Sequence, residues 1–332
     1  MTDTRLDVLC IGNAIVDVIS ATDDAFLSRE GLAKGSMRLI DAEEATRLYA
    51  HMGPAREVSG GSAGNTAAGV AMLGGKAGFV GQVADDQLGD VYAHDIASIG
   101  VEFTTPRRPQ SEAPTARCLV LVTPDAQRTM NTFLGAAQNL APASIDEAQV
   151  RSAAILYLEG YLWDPATPRA AMVKAIDIAR DSGRKVAFTL SDTFCIDRHR
   201  EGFLDLIDRG RIDILFANEA EIAALTGTDD FDAAVDEVAA KVPLLVVTRS
   251  EKGAIAVEGG RRVDVPAAPV GHVVDTTGAG DLFAAGFLTG QAQGRSIEES
   301  LRMGAIAAAE VISHYGARPE ADLKALVKAR LG

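Results

Sequence analysis

From Leu140 onward the chain alternates between short apolar runs of strand character and longer runs of helical character. The strand-like runs are Ala154–Leu158, Lys185–Leu190, Ile212–Ala217 and Leu244–Thr248. Between them lie Pro168–Asp181, Arg198–Arg209 and Phe231–Lys241, each long enough to cross back over a sheet. Strands separated by helices of this length build right-handed βαβ units, so this half of the chain predicts a mostly parallel sheet. Gly253–Val257 and Arg261–Val265 flank Glu258-Gly259-Gly260 and read as a hairpin. The last third is helical over Gly280–Gln291, Ile297–His314 and Pro319–Leu331.

The first half follows a different pattern. Leu6–Ile11 is a compact apolar run closed by Gly12-Asn13, a buried strand and a turn. Asp41–His51 reads as a helix with Asp41 as N-cap. Glycine-rich Ser59–Gly64 opens a small-residue helix over Asn65–Leu73; Ala77–Val83 is a strand and Gln87–Ile99 an amphipathic helix. Arg117–Thr123 and Arg128–Leu134 are β-rich around Pro124-Asp125-Ala126 and predict a hairpin. At about 150 residues per domain the length allows roughly two units. No repeat, low-complexity tract or long linker divides the 332 residues. The pattern therefore favours one α/β sandwich with a small β-rich excursion.

Composition removes several functions. Lys and Arg number 32 against 46 Asp and Glu, a net charge of −14 that repels nucleic acid and anionic membranes. No run approaches the ~18 uncharged apolar residues of a membrane span. The start Met1–Asp7, with its two acids and one Arg, followed by an apolar run broken at Asn13 and Asp17, does not read as a signal peptide. Cys10, Cys118 and Cys195 are sparse and far apart, with no CxxC, which suits a reducing cytoplasm. The histidines do not cluster as metal ligands.

Four segments carry chemistry. Asp275-Thr276-Thr277-Gly278-Ala279-Gly280-Asp281 precedes the small-residue helix Leu282–Gly290. Two glycines let the backbone turn sharply, and free N–H groups at a helix start bind an anion. Asp281 falls in that first turn, where a carboxylate can accept a proton from an attacking hydroxyl or simply favour the helix dipole. Gly60-Gly61-Ser62-Ala63-Gly64-Asn65-Thr66-Ala67 is neither a dinucleotide fingerprint nor a Walker A loop. It suits close approach of a polyhydroxylated ligand, or tight helix packing. Asn218-Glu219-Ala220-Glu221 follows a strand and could serve Mg²⁺ waters or cap a helix. Asp17 interrupts an apolar run and either faces solvent or binds hydroxyls.

In this order, these segments resemble the PfkB, or ribokinase-like, family of sugar and nucleoside kinases over nearly the whole chain. Asp275–Asp281 is similar to the family's C-terminal signature. Gly60–Ala67, Gly74-Gly75, Val80-Gly81 and Asp85–Gly89 are similar to its N-terminal one, and Asn218–Glu221 to its Asn-Glu-x-Glu motif. The resemblance implies a three-layer α/β sandwich with a mostly parallel central sheet, a single domain over 1–332, and a β-rich lid from segments about 13–40 and 102–134.

It also implies roles. Asp281 is the base; backbone N–H groups of Gly278, Ala279 and Gly280 form the anion hole; Arg128 is a lid arginine near the phosphates. Asn13, Asp17, Gly61, Ser62, Asn65 and Thr277 serve the acceptor. Asn218, Glu221, Thr248 and Gly253, with Gly278 and Gly280, serve ATP, and Glu221 reaches Mg²⁺ through water. Ser250 stands where the family has a glycine. Some relatives hold K⁺ through carbonyls next to residues matching Asp275 and Thr277 and near Gly316; Glu320 departs from that pattern.

Within the family, Gly12-Asn13-Ala14-Ile15-Val16-Asp17, Asp213–Glu219 and Phe133-Leu134-Gly135-Ala136-Ala137 resemble the adenosine kinase branch. That implies ATP-dependent phosphorylation of a purine nucleoside 5′-hydroxyl, with Leu134, Ala136 and Tyr161 near the purine. Phe133, Trp163 and Phe194 are further stacking candidates, and Met37 stands where some members carry a polar purine contact. A sugar kinase acting on ribose, fructose or 2-keto-3-deoxygluconate is the alternative, and either a monomer or a homodimer fits.

Overall fold

The computed structural model describes residues 4–125 and 127–331. The first three residues of the Met1–Asp7 start, and Ala126 of the expected turn, lie outside the described residues.

One sheet has nine strands among the described residues, in the spatial order Arg261–Val265, Ala254–Glu258, Leu244–Thr248, Ile214–Asn218, Lys185–Thr189, Ala153–Glu159, Leu6–Ile11, Ala77–Val80, Glu102–Phe103. Every pairing is parallel except the two that join Ala254–Glu258 to its neighbours. The inner strands are apolar over most of their length, because both faces are covered. Val8, Cys10, Tyr157, Phe216 and Val246 face one core with the helices Ser62–Met72, Ala279–Ala292 and Ile297–Val311. Leu9, Ile11, Leu156, Phe188, Leu215 and Leu245 face the other, with Ala166–Asp181, Thr193–Asp208, Glu219–Thr226 and Phe231–Ala239. The result is the three-layer sandwich.

A second sheet has the order Met37–Leu39, Arg128–Phe133, Ala116–Val122, Ile15–Ala21, Ala55–Gly60. The hairpin of Ala116–Val122 and Arg128–Phe133 pairs antiparallel as expected. Ala55–Gly60 lies outside the segments 13–40 and 102–134, and Glu102–Phe103 belongs to the large sheet. Ala55–Gly60 has little apolar character to announce a strand; its pairing with Ile15–Ala21 is set by backbone hydrogen bonds along an edge. Ile15–Ala21 alternates buried and half-buried residues, the signature of a sheet with one covered face.

Some boundaries move for local reasons. The small-residue helix opens at Ser62 rather than Asn65, with Gly61 at φ +85° as its N-cap. The helix expected from Arg198 starts at Thr193, because the Asp192 side chain accepts from Cys195 N, and it bends at His199. Ile297–Val311 and Leu323–Leu331 are shorter than expected, and the loop between them carries Gly316 and Arg318.

The helices at the centre of the first core pack through absent side chains. A Cβ on Gly286 would lie 2.6 Å from the backbone of Met303 and Gly304, and one on Gly69 would lie 2.6 Å from Ala285 Cβ. This close approach fixes the axis of Ala279–Ala292, and with it the position of its N-terminus. Gly286→Ala is expected to destabilise the protein by about 1–3 kcal/mol, the range for overpacking a core. Gly271→Ala, in open space, should stay within about 0.5 kcal/mol of wild type. Thermal or urea denaturation of both variants checks this.

Candidate active site

A cavity of about 410 Å³ lies between the second sheet and the carboxyl ends of the large sheet's strands, where open α/β sheets bind ligands. The second sheet contributes Ile15, Asp17, Cys118, Val120, Arg128, Met130 and Thr132; the large sheet contributes Tyr157, Thr189, Phe216 and Asn218. A second cleft of about 830 Å³ is lined mainly by Ala267, Ala268, Val270, Ala305, Ala308 and Ile312. The two meet at Asn218, Thr248, Thr276, Ala279, Gly280 and Phe283, around the start of the Ala279–Ala292 helix.

That helix start is shaped by glycine. Gly278 is its N-cap at φ +79°, and a Cβ there would lie 2.7 Å from Ala317 Cβ. Gly280 faces open space. Ala279 N–H closes a turn onto Thr276 O at 3.2 Å. This corrects the expectation of three anion-binding donors. Among the described residues no acceptor meets the N–H of Gly278 or Gly280, so these two remain free to meet an anion.

Asp281 sits one residue further on. Its Oδ1 accepts from Ser62 Oγ at 2.6 Å and its Oδ2 from Asn65 Nδ2 at 2.9 Å, while its carbonyl accepts from Thr66 Oγ1 at 3.2 Å. Burial pushes the carboxyl above its ordinary range; the Ser62 and Asn65 donors and the Arg318 charge pull it back. A carboxylate so placed faces the cavity and can accept a proton from a group entering it. Asp17 lines the same cavity. Burial raises it to about 6 against the pull of Arg128 and Arg318, with Asp281 pushing it further up. Gly60 is glycine because a Cβ would lie 2.5 Å from Asp17 Oδ2. Asp17 is half-buried and faces the cavity, where the hydroxyls of a ligand could reach it.

Arg128 reaches from the second sheet to the loop before the helix. Its Nη1 donates to Asp275 Oδ2 and, at 2.7 Å, to Thr277 Oγ1. Asp275 also accepts from Thr277 N at 3.0 Å, Thr277 Oγ1 at 2.7 Å and Gly316 N at 2.9 Å. Burial would raise the Asp275 carboxyl, but these donors and Arg128 outweigh it and hold it below its ordinary range. Its side chain is thereby fully engaged and does not fit the role of K⁺ ligand; only backbone carbonyls of this loop remain for such an ion.

Asn218 and Glu221 form a capping box. Asn218 Oδ1 accepts from Glu221 N at 2.9 Å, and Glu221 accepts from Asn218 N at 3.0 Å and Nδ2 at 2.6 Å. Both also line the cavity, so the cap and the site coincide. Burial raises Glu221 to about 7. Among the described residues no three His, Cys, Asp or Glu side chains converge on one point. That suits Mg²⁺ carried on nucleotide phosphates, which needs few protein carboxylates. Thr248 lines both spaces and Gly253 the second, where φ is +91° and a Cβ would lie 2.1 Å from Val265 O. Ser250 adopts φ +49°, a left-handed backbone that a glycine would take without strain.

Other expected residues sit elsewhere. Asn13 is buried, and its N and Nδ2 donate to Glu159 Oε1 at 2.7 and 2.8 Å rather than lining the cavity. Leu134 and Ala136 lie at the 3₁₀ turn Gly135–Asn139, outside the cavity wall, and Phe133 is also outside it. Trp163 packs edge-on to Phe188 and Phe203 in the core. Met37 is an exposed edge residue. Tyr161 does line the cavity, its hydroxyl donating to Ser191 O at 3.2 Å. Phe194, 66% exposed, lies just beyond Ser191 in the chain.

Two residues escape sequence reasoning. Glu159, fully buried, accepts from Asn13 and, at 2.7 Å, from Ala63 N, so it caps the helix that holds Asp281. Burial raises it to about 7. Its one signal is an acid closing an apolar strand. Arg318 binds Ser59 and Gly64 from a loop without any motif.

Asp281 beside the free N–H groups of Gly278 and Gly280, where the cavity and the cleft meet, is an arrangement suited to phosphoryl transfer onto a hydroxyl acceptor. The chain belongs to the family described as pfkB family carbohydrate kinase, which matches residues 6–323. It is accordingly an ATP-dependent kinase acting on an alcohol group. An adenosine kinase from Sinorhizobium meliloti is 50% identical, with TM-score 0.90, over 98% of this chain and 99% of that one. A probable sugar kinase from Rhizobium etli is also 50% identical, with TM-score 0.91 and the same coverage. A ribokinase from Arabidopsis thaliana is 30% identical over 95% of this chain and 80% of its own length.

Asp17, Glu159 and Glu221 each bind a proton more tightly in the folded chain than in the unfolded one. Folding is therefore favoured on the acid side, and stability falls as pH rises from about 4 to 7. Carboxyls held low, such as Asp275 and Glu102, lose their contribution only below the ordinary carboxylate range. The ligand-free protein should be more stable at about pH 5.5 than at about pH 8, by about 1–3 kcal/mol, and Asp17→Asn should flatten the slope. Calorimetry across pH checks both; a slope of the opposite sign refutes the account.

Proposed function

We propose that the protein transfers the γ-phosphoryl group of ATP to the 5′-hydroxyl of adenosine or a closely related purine nucleoside. The observation that carries this reading is the junction of cavity and cleft at Asp281 and the Gly278 and Gly280 N–H groups. The nucleotide occupies the cleft, with its base against Ala267, Ala268, Val270 and Ile312 and its phosphates toward Thr248, Asn218 and the helix start. The acceptor occupies the cavity, its hydroxyls on Asp17 and Gly61, below the second sheet acting as a lid. Asp281 takes the acceptor's hydroxyl proton as the new O–P bond forms and the bond to the β-phosphate oxygen breaks, releasing ADP. The two free N–H groups stabilise charge on the phosphoryl group in transit, and Arg128, held on Asp275 and Thr277, fixes the loop that leads into them. Mg²⁺ bound on the phosphates would neutralise their charge, with Glu221 holding one of its waters. The three cysteines are free and buried, and no helix among the described residues is long and apolar enough to cross a membrane; we place the reaction in the cytoplasm.

Adenosine is favoured by the aromatic and apolar wall that Tyr161, Ile15, Val120 and Met130 give the cavity, and by the similarity to the Sinorhizobium meliloti adenosine kinase. One observation favours a sugar instead: Leu134 and Ala136 do not reach the cavity. A coupled ADP assay over adenosine, other nucleosides, ribose, fructose and 2-keto-3-deoxygluconate, with and without K⁺, decides. Turnover of a free sugar with none of adenosine overturns the nucleoside reading. Asp281→Asn should lower kcat by about 10²–10⁴-fold while ATP binding by calorimetry is retained. Tyr161→Ala should raise KM for adenosine about 10-fold, as expected for a lost base-stacking contact, and leave KM for ATP unchanged.

A further inference from the structure

Arg318 lies on the loop between Ile297–Val311 and Leu323–Leu331 and crosses to a distant part of the chain. Its Nε and Nη2 donate to Ser59 O at 3.0 and 2.7 Å, Nη2 also meets Ser59 Oγ at 2.9 Å, and Nη1 donates to Gly64 O at 2.9 Å. Ser59 is itself held from behind, its N and Oγ donating to Asp95 Oδ2 at 2.7 and 2.6 Å. Ser59 and Gly64 bracket the bend that carries Gly61 and Ser62 and leads into Asn65. The planar fork of a guanidinium can reach both carbonyls at once, whereas a lysine ammonium is a single point.

We propose that Arg318 is a positioning residue for phosphoryl transfer, tying Ser59 to Gly64 so that Ser62 and Asn65 hold Asp281, while its charge offsets the two carboxylates, Asp17 and Asp281, that share the cavity. The inference rests on Asp281 being the base. Several charged and titratable groups face this region. Asp17 and Arg128 come from the second sheet, Tyr157, Glu159 and Tyr161 from the Ala153–Glu159 strand and the turn after it, Tyr92 and Asp95 from Gln87–Ser98, and Asp275 from the loop before the Ala279–Ala292 helix. Arg128 acts on Asp17 but is bound to Asp275; Arg318 is the cation that acts on both Asp17 and Asp281. Removing its charge makes Asp281 harder to ionise, so the acid limb of the rate profile moves to higher pH.

The test measures kcat against pH for wild type, Arg318→Gln, Arg318→Lys and Asp281→Asn, with ATP and the acceptor turned over fastest in the substrate assay. In R318Q, kcat at neutral pH falls about 10–100-fold, the cost of a misplaced catalytic group. Its acid limb rises by about half to one pH unit, the effect of losing a nearby opposite charge. R318K keeps the wild-type limb but loses the fork, and its kcat falls about 3–10-fold. KM for ATP stays within about twofold in both, because the donor cleft is untouched. A folded R318Q with the wild-type limb overturns the proposal, as does lower thermal stability with unchanged kcat. Should R318Q not fold, R318K decides alone, and wild-type kcat in that variant overturns it. An Asp281→Asn enzyme that keeps its rate overturns the base assignment and the proposal with it, whereas a slow D281N beside an unmoved limb in R318Q overturns only the role of Arg318.

Discussion

Two helix N-termini meet at one carboxylate. Asp281 belongs to the first turn of Ala279–Ala292, and its two oxygens are claimed by Ser62 and Asn65 in the first turns of Ser62–Met72. Both dipoles thus direct positive potential at the same point. That offsets part of the cost of placing a charge there, and the group can still accept a proton. The contact is held from both sides. The helices themselves touch where Gly69 meets Ala285, and the bend before Ser62 is fixed by Glu159 below and by Arg318 at its ends. Cavity, cleft and free N–H groups all converge on this meeting point.

A net charge of −14 would ordinarily oppose binding a polyanion. Locally, the structure answers with backbone rather than side chains. Gly278 and Gly280 offer N–H groups, and glycine is required at Gly278 by the proximity of Ala317. The cations near the junction are largely spoken for: Arg128 by Asp275, and Arg249 and Lys252 by Glu219. Anion affinity here is a property of backbone geometry, which bulk charge does not report.

Much of this was legible in the chain. The alternation after Leu140 predicted the parallel sheet, and the Asp275–Asp281 string predicted the helix start with its acid. What stayed hidden has physical reasons. Ala55–Gly60 is a strand by virtue of its partner, not its composition. Asn13 belongs to a motif but spends its amide on Glu159, whose burial no local pattern reveals. The Ala279 N–H is consumed by a turn within the very signature that suggested it was free. Arg318 acts across more than half the chain length, and nothing near it in sequence foretells its partners. Short-range patterns announce elements and loops; the pairing of distant polar atoms appears only when the chain is folded.

The ion pair between Arg128 and Asp275 joins the second sheet to the loop before the Ala279–Ala292 helix. Arg128 opens a strand of the second sheet, and Asp275 opens the loop that ends at Asp281. Any displacement of that strand from the loop would pull the guanidinium off Asp275 and release Thr277 as well. Strand position and loop geometry are thereby tied to a single guanidinium, so a change in either one is felt by the other.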